Sequence, residues 1–235
     1  MWDGIFVDED GKVIGDDGIN DGKVYLIKTT ASEVGQDTRI PCIGISKSQR
    51  KATTNFIKTN SGNASVFKNS IAYTNSVEIE GNQDVRSQMV NIVNQDDGEG
   101  GTKPQNNREY GGKIREGKVI ESPPGEVGNP ETHSEVAIGH SGVQDTDVIF
   151  HSHPSGTVRV MPKNAQGVET NMSGTKQTFM WESAPSKQDL KRDIYKVDYM
   201  FSRRTNTVYV YNKNGVVATI PQENFVKPIE PKKKK

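Results

Sequence analysis

Residues 150–156 read Phe150-His151-Ser152-His153-Pro154-Ser155-Gly156, and this stretch decides how the rest of the chain is read. It grows out of Val148-Ile149-Phe150, a short apolar run bounded by polar residues, which is the pattern of a buried strand. Side chains at i and i+2 of a strand project to the same side, so His151 and His153 can reach one cation together. Pro154 and Gly156 end the strand and leave that side open. Neutral imidazole is a good zinc ligand, at Zn–N distances of about 2.0–2.1 Å. The chain holds four histidines in all, so composition alone rarely produces His-X-His-Pro. The competing reading is a strand end that carries two surface histidines.

A catalytic zinc needs a third protein ligand and an open position for water. The candidate is Asp189, in Ser186-Lys187-Gln188-Asp189. Ser-X-X-Asp at the start of a helix is also a capping box, with Ser186 as the N-cap. The two roles are compatible, because a helix start can present a carboxylate inward while Ser186 faces a substrate. Upstream, Arg108-Glu109-Tyr110-Gly111-Gly112-Lys113-Ile114 places a carboxylate just ahead of a glycine-led strand. Before it the spacing predicts a helix capped by Asp84, with Val85, Met89, Ile92 and Val93 on one face and an end near Asn94. Asp96 to Pro104 reads as a loop. Its glycines and Lys103 lack phosphate-loop spacing, and no strand leads into it.

In combination, His151-Ser152-His153-Pro154 followed by Ser186-Lys187-Gln188-Asp189 resembles the signature of the JAMM (JAB1/MPN/Mov34) metallohydrolases, His-X-His-Pro and then Ser-X-X-Asp. That family also carries a glutamate shortly before a glycine-containing strand, which corresponds here to Glu109. Glu121, Glu126, Glu131 and Glu135 are rivals that lack the Gly-Gly strand start. The resemblance covers about residues 80–222. It implies Zn2+ held by His151, His153 and Asp189, with Glu109 as general base and Ser186 stabilising the oxyanion. It also implies a protein or peptide substrate cleaved at peptide or isopeptide bonds. One departure stands out: 31 residues, Ser155 to Pro185, separate motifs that are closely spaced in the family. They read as an inserted loop, a lid or a substrate-selecting arm. Such an insertion costs only roughly 0.6 kcal/mol per doubling of loop length. It also leaves Glu169 or Glu182 open as the third ligand.

The remaining sequence sets bounds. Lys and Arg total 30 and Asp and Glu total 30, so no net charge draws the chain to nucleic acid or to an anionic membrane. No apolar run approaches the roughly 18 residues of a spanning helix. Cys42 is the single cysteine, which excludes an internal disulfide and a cysteine-based metal site. A hydrophobic content of 31% with 23 glycines points to long polar loops. In residues 1–30, Asp10-Gly11 and Asp16-Asp17-Gly18 separate short apolar runs, the pattern of one or two small hairpins. Ser46 to Thr59 is read as a helix capped by Ser46 or Ser48, Ile71 to Ile79 as a strand, and Ser186 to Ile194 as a short helix. Tyr195 to Phe201 and Thr207 to Tyr211 read as strands, the latter turning through Asn212-Lys213-Asn214-Gly215 into Val216 to Ile220. The expected fold class is α/β (α+β): a mixed, mainly antiparallel sheet flanked by helices. The resemblance adds the JAB/MPN, cytidine-deaminase-like architecture over residues 81–222. A hairpin-rich appendage and linker at 1–80 precede it, and a basic tail at 223–235, with Lys232 to Lys235, follows.

A second resemblance concerns context. Met1 to Thr30, Asn69 to Gly81 and Asn106 to Ile114 look like the variable C-terminal region of bacterial Rhs-type polymorphic toxins that end in a JAB-like domain. This implies a bacterial effector tail and a cognate immunity protein as partner. The start, Met1-Trp2-Asp3-Gly4, has no basic n-region or apolar h-region. No secretory signal is therefore expected there. The isolated chain reads as cytoplasmic, and delivery as the tail of a larger secreted toxin is compatible with it. Three other readings stay open: a RadC-like DNA-associated protein, whose His-X-His-Pro-Ser-Gly matches Ser155 and Gly156; a non-catalytic binding module of the same fold; and a toxin of another chemistry, such as a nuclease.

Overall fold

The short alternating runs near the N-terminus build a small sheet. The structure, a computed structural model, describes residues 4–30, 40–128, 141–160, 177–191 and 197–230. Strand β1 (Ile5–Val7) turns into antiparallel β2 (Val13–Asp16), with Gly11 at φ 77° in the turn where Asp10-Gly11 signals a hairpin. No second hairpin follows. β3 (Val24–Ile27) pairs parallel with β1, and β4 (Ser76–Ile79) pairs antiparallel with β3. Strand alternation then splits the side chains: Ile5, Val7, Val24 and Leu26 face one core, Phe6, Tyr25 and Ile27 the other. The second face is covered by α1 (Lys47–Asn60), α2 (Ala64–Phe67) and α3 (Ile71–Thr74) through Ile57, Phe67 and Ala72. Helix α1 begins at Ser46, whose side chain accepts from Gln49 N while the Gln49 side chain answers Ser46 N, a complete capping box. The strand expected over Ile71–Ile79 is realised only from Ser76. The Ser70 side chain accepts from Ala72 N and starts α3 instead.

The larger sheet contains β5 (Gly111–Arg115), β6 (Lys118–Glu121) and β7 (Val148–His153). After β7 come β8 (Thr157–Val160) and β9 (Gln177–Met180), which among the described residues form a separate antiparallel pair. The sheet resumes with β10 (Asp198–Ser202), β11 (Thr207–Asn212) and β12 (Gly215–Pro221). Its order is β12-β11-β10-β7-β5-β6, with β7 and β10 parallel and the other pairs antiparallel. The described residues are thus mixed α/β, with two larger, mainly antiparallel sheets beside the β8–β9 pair, and few helices. Helix α4 (Gln83–Val93) lies against β5, β6 and β7, and α5 (Gln222–Val226) packs beside it. The cap of α4 differs from the expected Asp84. The Asn82 side chain accepts from Asp84 N, which moves Asp84 into the first turn. Val85, Met89 and Val93 are buried on the expected face, and Ile92 packs partly against the same core.

The boundary expected after residue 80 falls in the turn between β4 and α4. The apolar core runs across it: Ile5, Val7, Leu26 and Ile79 share one cluster with Val85, Met89, Phe150, Phe201 and Phe225. Among the described residues no helix is long and apolar enough to cross a membrane. The Lys232 to Lys235 tail lies outside the described residues.

The glycine pair at the start of β5 has a packing reason. A Cβ on Gly111 would sit 2.1 Å from the Phe150 carbonyl oxygen, and one on Gly112 would sit 2.2 Å from that of Ile120. β5 therefore approaches both neighbours as closely as backbone allows. Gly111→Ala is expected to destabilise the fold by more than about 2 kcal/mol, because neither contact is with a side chain that can move aside. Thermal or urea unfolding of the purified variant measures this, and a change below about 0.5 kcal/mol contradicts the packing argument.

Candidate metal centre

The register of the central strands builds the site. β5 and β7 pair Gly111 with His151, and Tyr110 with Ser152 continues the ladder through Ser152 N to Tyr110 O, 2.8 Å. The next step sets Glu109 opposite His153. Strand alternation puts Glu109, His151 and His153 on one face of the sheet, away from Phe150 and α4. Both histidines are buried, with 4% and 6% exposure, so neither is a surface histidine. Their rings lie 5.3 Å apart between centroids, and Tyr211 meets the His151 ring edge-on. One donor atom each from Glu109, His151 and His153 fall within 4.8 Å of one another, so this cluster can hold a metal ion.

Asp189 reaches the same place from the other side. Its Oδ1 is 3.3 Å from His151 Nε2 and its Oδ2 is 3.5 Å from His153 Nε2. Glu109 Oε1 is 3.8 Å from His153 Nε2. Asp189 also completes the capping box: Ser186 N donates to its Oδ2 at 2.5 Å, and Asp189 N donates to Ser186 Oγ at 3.3 Å. Of the helix expected over Ser186 to Ile194, the described part forms a 3-10 turn at Asp189–Lys191, and residues 192–196 lie outside the described residues. The cap and the histidine contacts thus coexist in one carboxylate.

Asp189 comes closer to each imidazole than Glu109 does to His153, but through a different oxygen for each ring, and the three residues whose single donor atoms converge within 4.8 Å are Glu109, His151 and His153. Two observations fit these residues to a metal. His151 Nε2 is buried and makes no hydrogen bond to protein, despite its nearness to Asp189. The tautomer of His153 suits ligation too. His153 Nδ1 is 3.0 Å from the Glu182 carbonyl oxygen. A carbonyl only accepts, so Nδ1 carries the hydrogen, and in the neutral ring Nε2 then holds the lone pair that a metal needs.

The loop after the histidines is held by groups that the sequence did not flag. Ser155 N and Oγ donate to the fully buried Asp96 carboxylate at 2.7 and 2.5 Å. Arg203 donates twice to the Asp96 carbonyl, at 3.1 and 3.0 Å, and once to Gln222 Oε1 at 2.7 Å. Gly100 N donates to Ser155 Oγ at 3.2 Å, and Thr157 N to the Gly101 carbonyl at 2.8 Å. The Gly-rich loop is therefore a wall behind the His-X-His-Pro exit. An aspartate followed two residues later by glycine, and a serine just after the proline, were the available signals.

The insertion contributes the antiparallel pair β8 and β9, and its described end returns to the site at Trp181 and Glu182. Glu182 meets His153 through its backbone, and Glu169 lies outside the described residues. Of the rivals to Glu109, Glu121 and Glu126 are exposed, and Glu131 and Glu135 lie outside the described residues.

Burial disfavours the charged form of His151, but the Asp189 carboxylate, then Glu109 and Asp198, outweigh it and raise its pKa from 6.5 to about 9. Burial also opposes ionisation of Asp189, yet His151 and His153 hold its carboxyl well below the usual range. A raised histidine stabilises the fold fully below pH 6.5 and loses that contribution as pH rises through about 9. The depressed Asp189 contributes above its ordinary 3.8 and loses that as pH falls below it. In chelator-treated protein the melting temperature should therefore decline between pH 6.5 and 9, and His151→Gln should flatten the decline. An unchanged slope in the variant contradicts the assignment. Comparison with protein-family models, with curated proteins and with solved structures finds no match to this chain, so the site stands on its own geometry.

Proposed function

We propose that this chain is a zinc-dependent hydrolase of the JAMM type that cleaves peptide or isopeptide bonds, with a JAB/MPN architecture over residues 81–222. The observation that carries the reading is the convergence of His151, His153 and Asp189 with imidazole–carboxylate separations of 3.3 and 3.5 Å, and Glu109 beside them at 3.8 Å. The order of parts supports it as well: helix α4, the Glu109 strand, the His-X-His strand, then the Ser-X-X-Asp turn. His151, His153 and Asp189 would hold the ion. Zinc, when bound, supplies a Lewis acid that lowers the pKa of water from about 15.7 to about 7.

The chain's own residues do the rest. Glu109 lies nearest His153 but farther than Asp189 does, and its side chain is 11% exposed. That is the place of a base that takes a proton from the attacking water and returns it to the leaving amine. Ser186 Oγ accepts from Asp189 N, and the hydroxyl hydrogen is not used in that bond. In this proposal it donates to the oxyanion that develops on the carbonyl. The effector-tail context and an immunity protein as partner belong to the same proposal and rest on the N-terminal resemblance.

Glu109→Gln should bind zinc as the parent does and lose hydrolysis of a peptide or isopeptide substrate by about 10²–10⁴-fold. His153→Ala should lose both. Elemental analysis with a protease assay on the same samples reads this. Normal zinc content in His153→Ala contradicts the site, and full hydrolysis by Glu109→Gln contradicts the base assignment.

A further inference from the structure

We propose that Trp181, on the returning limb of the segment inserted between the two motifs, is a positioning residue for the metal centre and acts through the Glu182 backbone. The inference rests on the metal-site reading above and extends it to the insertion. Trp181 Nε1 donates to Asn107 Oδ1 at 2.9 Å. Asn107 is itself fixed, because its Nδ2 donates to the Gly101 carbonyl at 3.1 Å and the Lys103 carbonyl at 2.9 Å. With both amide hydrogens taken, its oxygen is left aimed at the indole. The next residue, Glu182, receives His153 Nδ1 on its carbonyl at 3.0 Å. Two consecutive residues of the limb are thus tied to the two strands of the site, one to the segment leading into Glu109 and one to His153.

Gly156 leaves room for this joint. A Cβ there would sit 2.5 Å from Asn107 Oδ1. The Glu182 carbonyl selects the His153 tautomer that can ligate through Nε2. A neutral imidazole offers two tautomers, and the other one carries its hydrogen on Nε2 and cannot take a metal there. Freeing the limb from Asn107 removes the restraint that keeps this carbonyl over Nδ1. This described end of the insertion is therefore tied directly to the centre.

The test uses the full chain with Trp181→Phe, Asn107→Ala, the double variant, and Met180→Ala as control, since Met180 is 66% exposed. Zinc affinity is read by competition with a chromophoric chelator. The His153 tautomer is read from nitrogen-15 imidazole spectra of chelator-treated protein at alkaline pH. Each single variant should weaken zinc about tenfold and mix the His153 tautomers, and the double variant should do no more than either. Met180→Ala should change neither. Parent-like affinity together with a parent-like His153 spectrum in Trp181→Phe overturns the proposal. If Trp181→Phe melts early, Asn107→Ala carries the same two readouts. A parent chain that binds no zinc, with mixed tautomers in Trp181→Phe, would remove the metal reading and leave the positioning role supported.

Discussion

The pairing of Gly111 with His151 is the constraint on which the rest depends. It is possible only because residue 111 has no side chain where the Phe150 carbonyl lies. Once this pair is set, strand alternation leaves no choice about faces. Phe150 goes into the core beneath α4, and His151 and His153 go to the opposite face. The same register carries Glu109 across from His153. A slip of one residue would turn both imidazoles into the apolar core and would bury Phe150's face in the site.

The second requirement is electrostatic. Two buried imidazoles and two carboxylates within 4 Å of them are costly for a fold unless they satisfy each other or a ligand. Asp189 spans both rings while it caps its own turn through Ser186. The cap fixes the carboxylate before any ion arrives, so little ordering remains for binding. Asp96 does the equivalent for the backbone after His153. It takes Ser155 N and Oγ and is tied through its own carbonyl to Arg203, the residue that follows β10. The strand that carries the histidines is thereby held at its exit as firmly as along its ladder.

Much of this was legible in the sequence for physical reasons. Val148-Ile149-Phe150 is apolar because β7 is buried between β10 and β5, and the His-X-His spacing maps directly to one face. Gly111-Gly112 marks close backbone approach, and Glu109 was singled out by the JAMM resemblance, which sets a glutamate just before a glycine-containing strand. Helix α1 announced itself by Ser46 and Gln49, and α4 by its stripe of Val85, Met89 and Val93. Other features carried no such pattern. Asn82 and Asp84 are both good caps, and only the hydrogen bond to Asp84 N chooses between them. The turn at Ile71–Thr74 is β-like in composition and helical because Ser70 caps it. The parallel pairing of β1 with β3 and the Asp96–Ser155 bond depend on long-range contacts. Glu182 acts through a carbonyl that every residue owns, so no side-chain pattern could reveal it.

The central claim is that His151, His153 and Asp189 hold one zinc ion while Glu109 stands beside it. An anomalous-scattering map at the zinc edge, from crystals grown with stoichiometric zinc, addresses that claim most directly. The account predicts one peak about 2.0–2.2 Å from His151 Nε2, His153 Nε2 and an Asp189 carboxylate oxygen, with Glu109 outside the bonding distance. No peak there, or a peak bound by Glu109 with Asp189 turned away, would contradict it.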